Sequence, residues 1–355
     1  MVKSKFLCMA LVLILMGSGC RMAYVFHAAA GQLRLMSGSI PVDEALKDPQ
    51  LDPECKARLH LVARIKAFGE EELGLKKTDS YETAYLRSPQ CPIYLVAAAP
   101  KDRLCLKTWW FPVVGDMPYL GFFDLEEARA EKRGLAEEGL DVYLGMAAAY
   151  STLGWLNDPV TLNVLEGSTV DLVETILHEM THTTLYVKGQ GAFNEGLAVL
   201  VGKVGAAFFL EKAYGPSHSW TREAQNALMD ERLFSSLLDS LLENLQGLYA
   251  SSMSPQEKLR QRDAVFQEAI LDFSHMKHRF RTERFLSFGD HPLNNAYLLC
   301  VGLYHRYYPL FEAVLEENQD SIKKTLMLFK KMAGEGGDML EKTRAWLERE
   351  REDTQ

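Results

Sequence analysis

The chain of 355 residues has little that would tie it to nucleic acid, to thiol chemistry or to a polytopic membrane fold. Its balance is acidic, with 39 Lys and Arg against 48 Asp and Glu, a formal charge of −9 that argues against nucleic acid as a partner. Its six cysteines form no CxxC pair and no Cys-His cluster, so they read as structural or free rather than as metal ligands. Beyond the N-terminus no apolar run is expected to reach the roughly 20 residues of a membrane span. Internal repeats and low-complexity linkers are absent. What these absences leave is one globular unit, because 47% apolar residues over this length can bury a large core.

The N-terminus has a form of its own. Lys3 and Lys5 precede an apolar run from Phe6 to Met16, followed by Gly17-Ser18-Gly19-Cys20. A basic start, a short apolar core and small residues before a cysteine resemble a bacterial lipoprotein signal. Residues 1–19 are therefore expected to be cleaved and Cys20 to carry lipid. The mature chain would then be anchored in the bacterial cell envelope, facing the periplasm or the exterior. An uncleaved anchor helix is the alternative. Without Cys8 and Cys20, the remaining cysteines are Cys55, Cys91, Cys105 and Cys300. An oxidising compartment permits a bond, with Cys91 and Cys105 separated by the shortest loop.

The chemistry lies in His178-Glu179-Met180-Thr181-His182. On a helix of 3.6 residues per turn, imidazoles four apart sit one above the other and can reach one ion, with the carboxylate between them beside the open position. A helix is expected here. Ser168 is a capping residue followed three later by Asp171, and Val170, Val173, Ile176, Leu177 and Met180 keep a helical apolar period. The helix is expected to run through Tyr186 and stop at Lys188-Gly-Gln-Gly191. A second helix is then expected to open with Asn194 as N-cap and Glu195 in its first turn, packing back on the first.

His178, His182 and Glu195 thus complete a two-His, one-Glu set for zinc, with a fourth position left to water. Zn2+ would acidify that water, and Glu179 would take its proton and later pass it to the leaving amine of a peptide substrate. A hydrogen-bonded helical histidine pair, with Glu195 merely favouring its helix N-terminus, is the alternative.

The run from His178 to Gly202, HEMTHTTLYVKGQGAFNEGLAVLVG, resembles the signature of the bacterial family known as putative aminopeptidases. The likeness continues in Trp109 to Gly115, Tyr119 to Asp124, Asp141 to Gly145, Ala149 to Pro159 and Leu293 to Ala296, and so covers nearly the whole mature chain. It implies a zinc-dependent peptidase, frequently a lipoprotein. The Gly-x-Met-x-Asn type element that other zinc aminopeptidases of this ligand set use to bind the substrate's amine is absent. Asn194 and Asp158 are the nearest candidates for that task. A zinc endopeptidase or peptidoglycan-directed amide hydrolase is the alternative activity, and a non-catalytic envelope lipoprotein the alternative in kind.

The expected architecture is α+β and helix-rich, a zincin-like metallopeptidase with a small mixed sheet and a helical C-terminal lobe. Residues 20–80 read as a helical layer, with helices at Val42 to Leu46 and Cys55 to Leu73. Residues 81–202 hold the sheet and the zinc-site helices. Strands are expected from Cys91 onward, at Trp109 to Val114, Tyr119 to Phe123 and Asp141 to Leu144, around a charged helix Leu125 to Glu138. Residues 203–355 read as a helical lobe, broken at Tyr214-Gly-Pro-Ser, near Ser251 and at Gly289-Asp-His-Pro292.

Tyr150 and Tyr304 are candidate donors to the oxyanion of the tetrahedral intermediate. Trp109, Trp110 and Trp155 are candidates for a cleft, with core packing the favoured role. His305 is a candidate support for the metal ligands. The basic stretch from His275 to Arg284 reads as a solvated helix face. Oligomeric state has no signature in the sequence.

Overall fold

The computed structural model describes residues 19–87, 93–111, 115–147 and 157–354. The N-terminal part comprises α1 (Gly19–Gly38), β1 (Ile40–Pro41), α2 (Val42–Ala45) and α3 (Pro53–Glu71). Short strands follow: β2 (Thr83–Tyr85), β3 (Ile93–Ala99), β4 (Trp109–Phe111), β5 (Gly115–Met117) and β6 (Leu120–Phe122). Next come α4 (Leu125–Glu137), β7 (Asp141–Ala147) and β8 (Val160–Thr161). The rest is helical: α5 (Leu162–Leu165), α6 (Thr169–Thr184), α7 (Gly191–Tyr214), α8 (Ser219–Ala250), α9 (Pro255–Met276), α10 (Asn295–His305), α11 (Tyr308–Glu317), α12 (Ile322–Gly334) and α13 (Met339–Thr354).

The class is α+β and rich in helix, but the strands make three small sheets where one was expected. β2 lies between β1, antiparallel, and β8, parallel. β3 lies between β6 and β7, both antiparallel, with Val96 opposite Leu120 on one side and Leu144 on the other. β4 and β5 form a separate hairpin. Length explains the division: only β3 and β7 reach seven residues, and strands of two or three cannot extend a ladder. β1, β2, β5 and β8 are too short to leave a period in the sequence.

The largest core surrounds α6 and α7, with Leu59 and Ile65 of α3, Phe311 of α11 and Phe329 of α12 packed on them. A second core joins α8, α9 and α10 through Phe234, Leu242, Phe273 and Leu298. A third lies between the β6-β3-β7 sheet and α4.

α7 corrects one expectation. It is long and apolar enough, by length and composition, to cross a membrane, yet it is buried inside the fold. A helix surrounded by neighbours is apolar all round, and this one has α6, α8, α10 and α11 against it. Gly202 lets α6 come close. A Cβ there would meet the Glu174 carbonyl oxygen at 2.8 Å and the His178 Cβ at 3.3 Å.

Candidate metal centre

α6 begins as its sequence predicts. Ser168 caps it by accepting from the Asp171 amide at 3.1 Å, while its hydroxyl donates to the Asp171 carboxylate at 2.7 Å. Val170, Val173, Ile176, Leu177 and Met180 are all buried against α7 and its neighbours, which leaves His178 and His182 on an adjoining face. The helix ends at Thr184, two residues earlier than expected. Thr183 and Thr184 both donate their hydroxyls to the Met180 carbonyl, side-chain bonds of the kind that compete with a continuing helix.

The reversal that follows is clamped by Asn194, whose amide accepts from Val187 N–H and donates to Val187 C=O, each at 2.8 Å. This changes two expectations. α7 opens at Gly191, so Asn194 lies inside the helix and is no N-cap. With both amide atoms committed to Val187, Asn194 is not available to a substrate amine. Gln190, just before the helix, spends its own side chain on Gly337 C=O and Met339 N–H.

The clamp and the close packing at Gly202 deliver Glu195 to the two histidines. Nε2 of His178 and Nε2 of His182 are 3.2 Å apart, and the Glu195 Oε2 is 3.3 Å from the first and 3.4 Å from the second. Ligands bound at about 2.0–2.1 Å to a tetrahedral zinc ion lie about 3.3–3.4 Å from one another. The three atoms form the base of such a tetrahedron, and their types fit the ion. Among the described residues they are the only group of three His, Cys, Asp or Glu side chains with this convergence.

Electrostatics favours the carboxylate form of Glu195. Burial alone would raise the Glu195 carboxyl, but the charge of His182 and hydrogen bonds from both imidazoles hold it far below the usual carboxylate range. Burial works against a charged His182, yet Glu195 and Glu179 together push its pKa up. Glu179, on the same helix, is partly exposed and its charge also reaches the phenols of Tyr81 and Tyr119.

Around the triad stand Tyr304, a candidate from the sequence, and three residues that local pattern did not single out, Tyr119, Cys300 and Tyr81. Tyr119, in the turn between β5 and β6, donates its hydroxyl to Glu195 Oε1 at 3.3 Å. Tyr304 of α10 and Tyr119 influence each other's phenols electrostatically, and the Tyr304 ring lies over that of His178 with centroids 6.3 Å apart and planes 21° from parallel. Cys300, one turn earlier on α10, has its thiol pushed up to about 12 by burial and by the Glu195 charge. Tyr81 adopts a left-handed φ of 67°, and its N–H donates to the Asp158 carbonyl at 2.8 Å. Its phenol is raised well above the ordinary range by burial and by the charges of Glu179 and Asp158. A side chain in that backbone region stores strain of the kind that gathers at functional sites.

Other sequence candidates fall elsewhere. Tyr150, Trp155 and Cys91 lie outside the described residues. Trp109 is buried in the core beneath β3, whereas Trp110 is 59% exposed. His305 pairs with Glu231 at 2.6 Å. His275, Lys277, His278 and Arg279 are exposed, but Arg284 is drawn into ion pairs with Asp171 and Glu174. Cys55, Cys105 and Cys300 are free thiols.

A family model described as "Putative aminopeptidase" matches residues 23–343 of the chain. No curated protein and no solved structure matches it.

Proposed function

The chain belongs to the family described as "Putative aminopeptidase", and from that membership we propose that it is a zinc-dependent, zincin-like metallopeptidase of the bacterial envelope, tethered through lipid on Cys20. The observation that carries the zinc reading is the triangle of His178 Nε2, His182 Nε2 and Glu195 Oε2, with edges of 3.2, 3.3 and 3.4 Å. These three residues would hold the ion. Zinc bound there supplies a Lewis acid that polarises a peptide carbonyl and acidifies a water.

Glu179 takes the proton of the attacking water and returns it to the leaving amine. Its place on α6, one residue after the first ligand, supports that role. Tyr150 is the candidate donor to the developing oxyanion.

Aminopeptidase action needs a group to hold the substrate's ammonium, and Asp158 is proposed for it. Its charge and that of Glu179 act on the same buried phenol of Tyr81, which supports a common neighbourhood. A charge-assisted contact between Asp158 and the ammonium would fix the scissile bond beside the ligands. The test uses one peptide in free and N-acetylated forms, incubated with zinc-loaded protein and analysed by mass. Stepwise loss of N-terminal residues from the free form alone is expected. Equal internal cleavage of both forms would replace the proposal with an endopeptidase or a peptidoglycan-directed amide hydrolase.

A further inference from the structure

We infer that Tyr119 is a positioning residue which, braced by Tyr304, holds one oxygen of Glu195 so that the other is left to face the metal. The inference rests on the metal-site reading above and assigns Tyr304 to support of the ligands in place of the oxyanion.

The two Glu195 oxygens have separate partners. Oε1 accepts from the Tyr119 hydroxyl at 3.3 Å, while Oε2 faces the two imidazoles. The terminal torsion of a glutamate has a broad, roughly two-fold profile, so nothing intrinsic to the side chain selects which oxygen points where. A donor fixed on one oxygen does. Tyr119 is carried by the β5–β6 turn and Tyr304 by α10, so the brace comes from outside both metal helices and ties them to two further parts of the fold.

Tyr304 completes the arrangement from two sides. Its phenol is electrostatically coupled to that of Tyr119, and its ring lies almost parallel to the His178 ring. One phenol pair thereby orients two of the three ligands. His182 has no such help: its Nδ1 is buried without a hydrogen-bond partner among the described residues, so outer support in this site runs through Glu195 and His178.

The experiment compares the full chain with Tyr119→Phe, Tyr304→Phe and the double variant. Zinc affinity is read by chelator competition, and the coordination sphere by the visible absorption of the cobalt(II)-substituted protein. Loss of an outer-shell partner weakens a metal on the order of tenfold or more, and that is the loss expected for Tyr119→Phe, with an altered cobalt spectrum. The double variant should lose no more than Tyr119→Phe alone, because the two phenols act as one unit. Thermal unfolding of the metal-free chains should be alike, which separates ligand positioning from general stability. Unchanged affinity and spectrum in Tyr119→Phe would overturn the inference while leaving the zinc site standing. Additive losses would overturn the pairing. A Tyr304→Phe chain with unchanged affinity and spectrum but depressed turnover would return Tyr304 to the oxyanion. A wild-type chain without zinc would overturn the site and the brace together.

Discussion

At the scale of single residues, the ligands are set apart from their neighbours by what each removal leaves behind. An open site keeps three protein ligands, so taking one away leaves too few contacts to hold the ion. His178→Ala, His182→Ala and Glu195→Ala are each expected to lose tightly bound zinc, measured by metal analysis after gel filtration. His178 and His182 were legible because a four-residue spacing on a helix fixes a common face whatever the tertiary structure. Glu195 was legible from the glycine reversal, even though the helix carrying it starts at Gly191 rather than Asn194. Tyr119 and Tyr81 were not legible. Both reach the site from far upstream through tertiary packing, and no local period or spacing marks such a contact.

At the scale of elements, the approach of α6 to α7 decides the geometry. Ala at position 202 would gain about 1 kcal/mol of helix propensity. Its Cβ would press on backbone, 2.8 Å from the Glu174 oxygen, and overpacking costs about 1–3 kcal/mol. Gly202→Ala is therefore expected to lower the melting temperature and weaken zinc together, read by calorimetry with and without metal. Behind the same helices, Glu231 of α8 is fully buried and ion-paired to His305 of α10 at 2.6 Å and Lys203 of α7 at 3.4 Å, and its charge helps to raise the phenol of Tyr308 of α11. Burial alone would raise its carboxyl, but His305 and Lys203 bring the pKa below the usual value of 4.5. A depressed folded-state pKa contributes stability that is complete above the unfolded value and disappears as pH falls through the folded one. Urea midpoints should thus fall with acidification below about pH 4.5, and less steeply in Glu231→Gln. Of the elements themselves, the long helices and their breaks at Gly215 and Ser251 were readable from period and turn residues, whereas the helix expected to carry His275 to Arg284 as one face already ends at Met276, well before the turn at Gly289. The division into three sheets was not readable, since strands of two or three residues carry no alternation to read.

At the scale of the whole molecule, a chain of the "Putative aminopeptidase" family carries one converged donor set among its described residues, beside helices packed into its largest core. The proposed tethering rests on the N-terminus alone: Cys20→Ser is expected to leave a precursor unprocessed at that position, checked by the mass of the mature N-terminus and by membrane fractionation. A wild-type chain still beginning at Met1 would point to an anchor helix instead. The proposed hydrolysis, in contrast, depends on a division of labour within α6, where two residues would hold the ion and a third would move the proton. That division is tested most directly by measuring zinc content and peptide turnover side by side in wild type and Glu179→Gln. Zinc near one per chain in both, with turnover of the Gln variant reduced by about 10²–10⁴-fold, is the predicted result. Undiminished turnover in Glu179→Gln, with zinc retained, would contradict it.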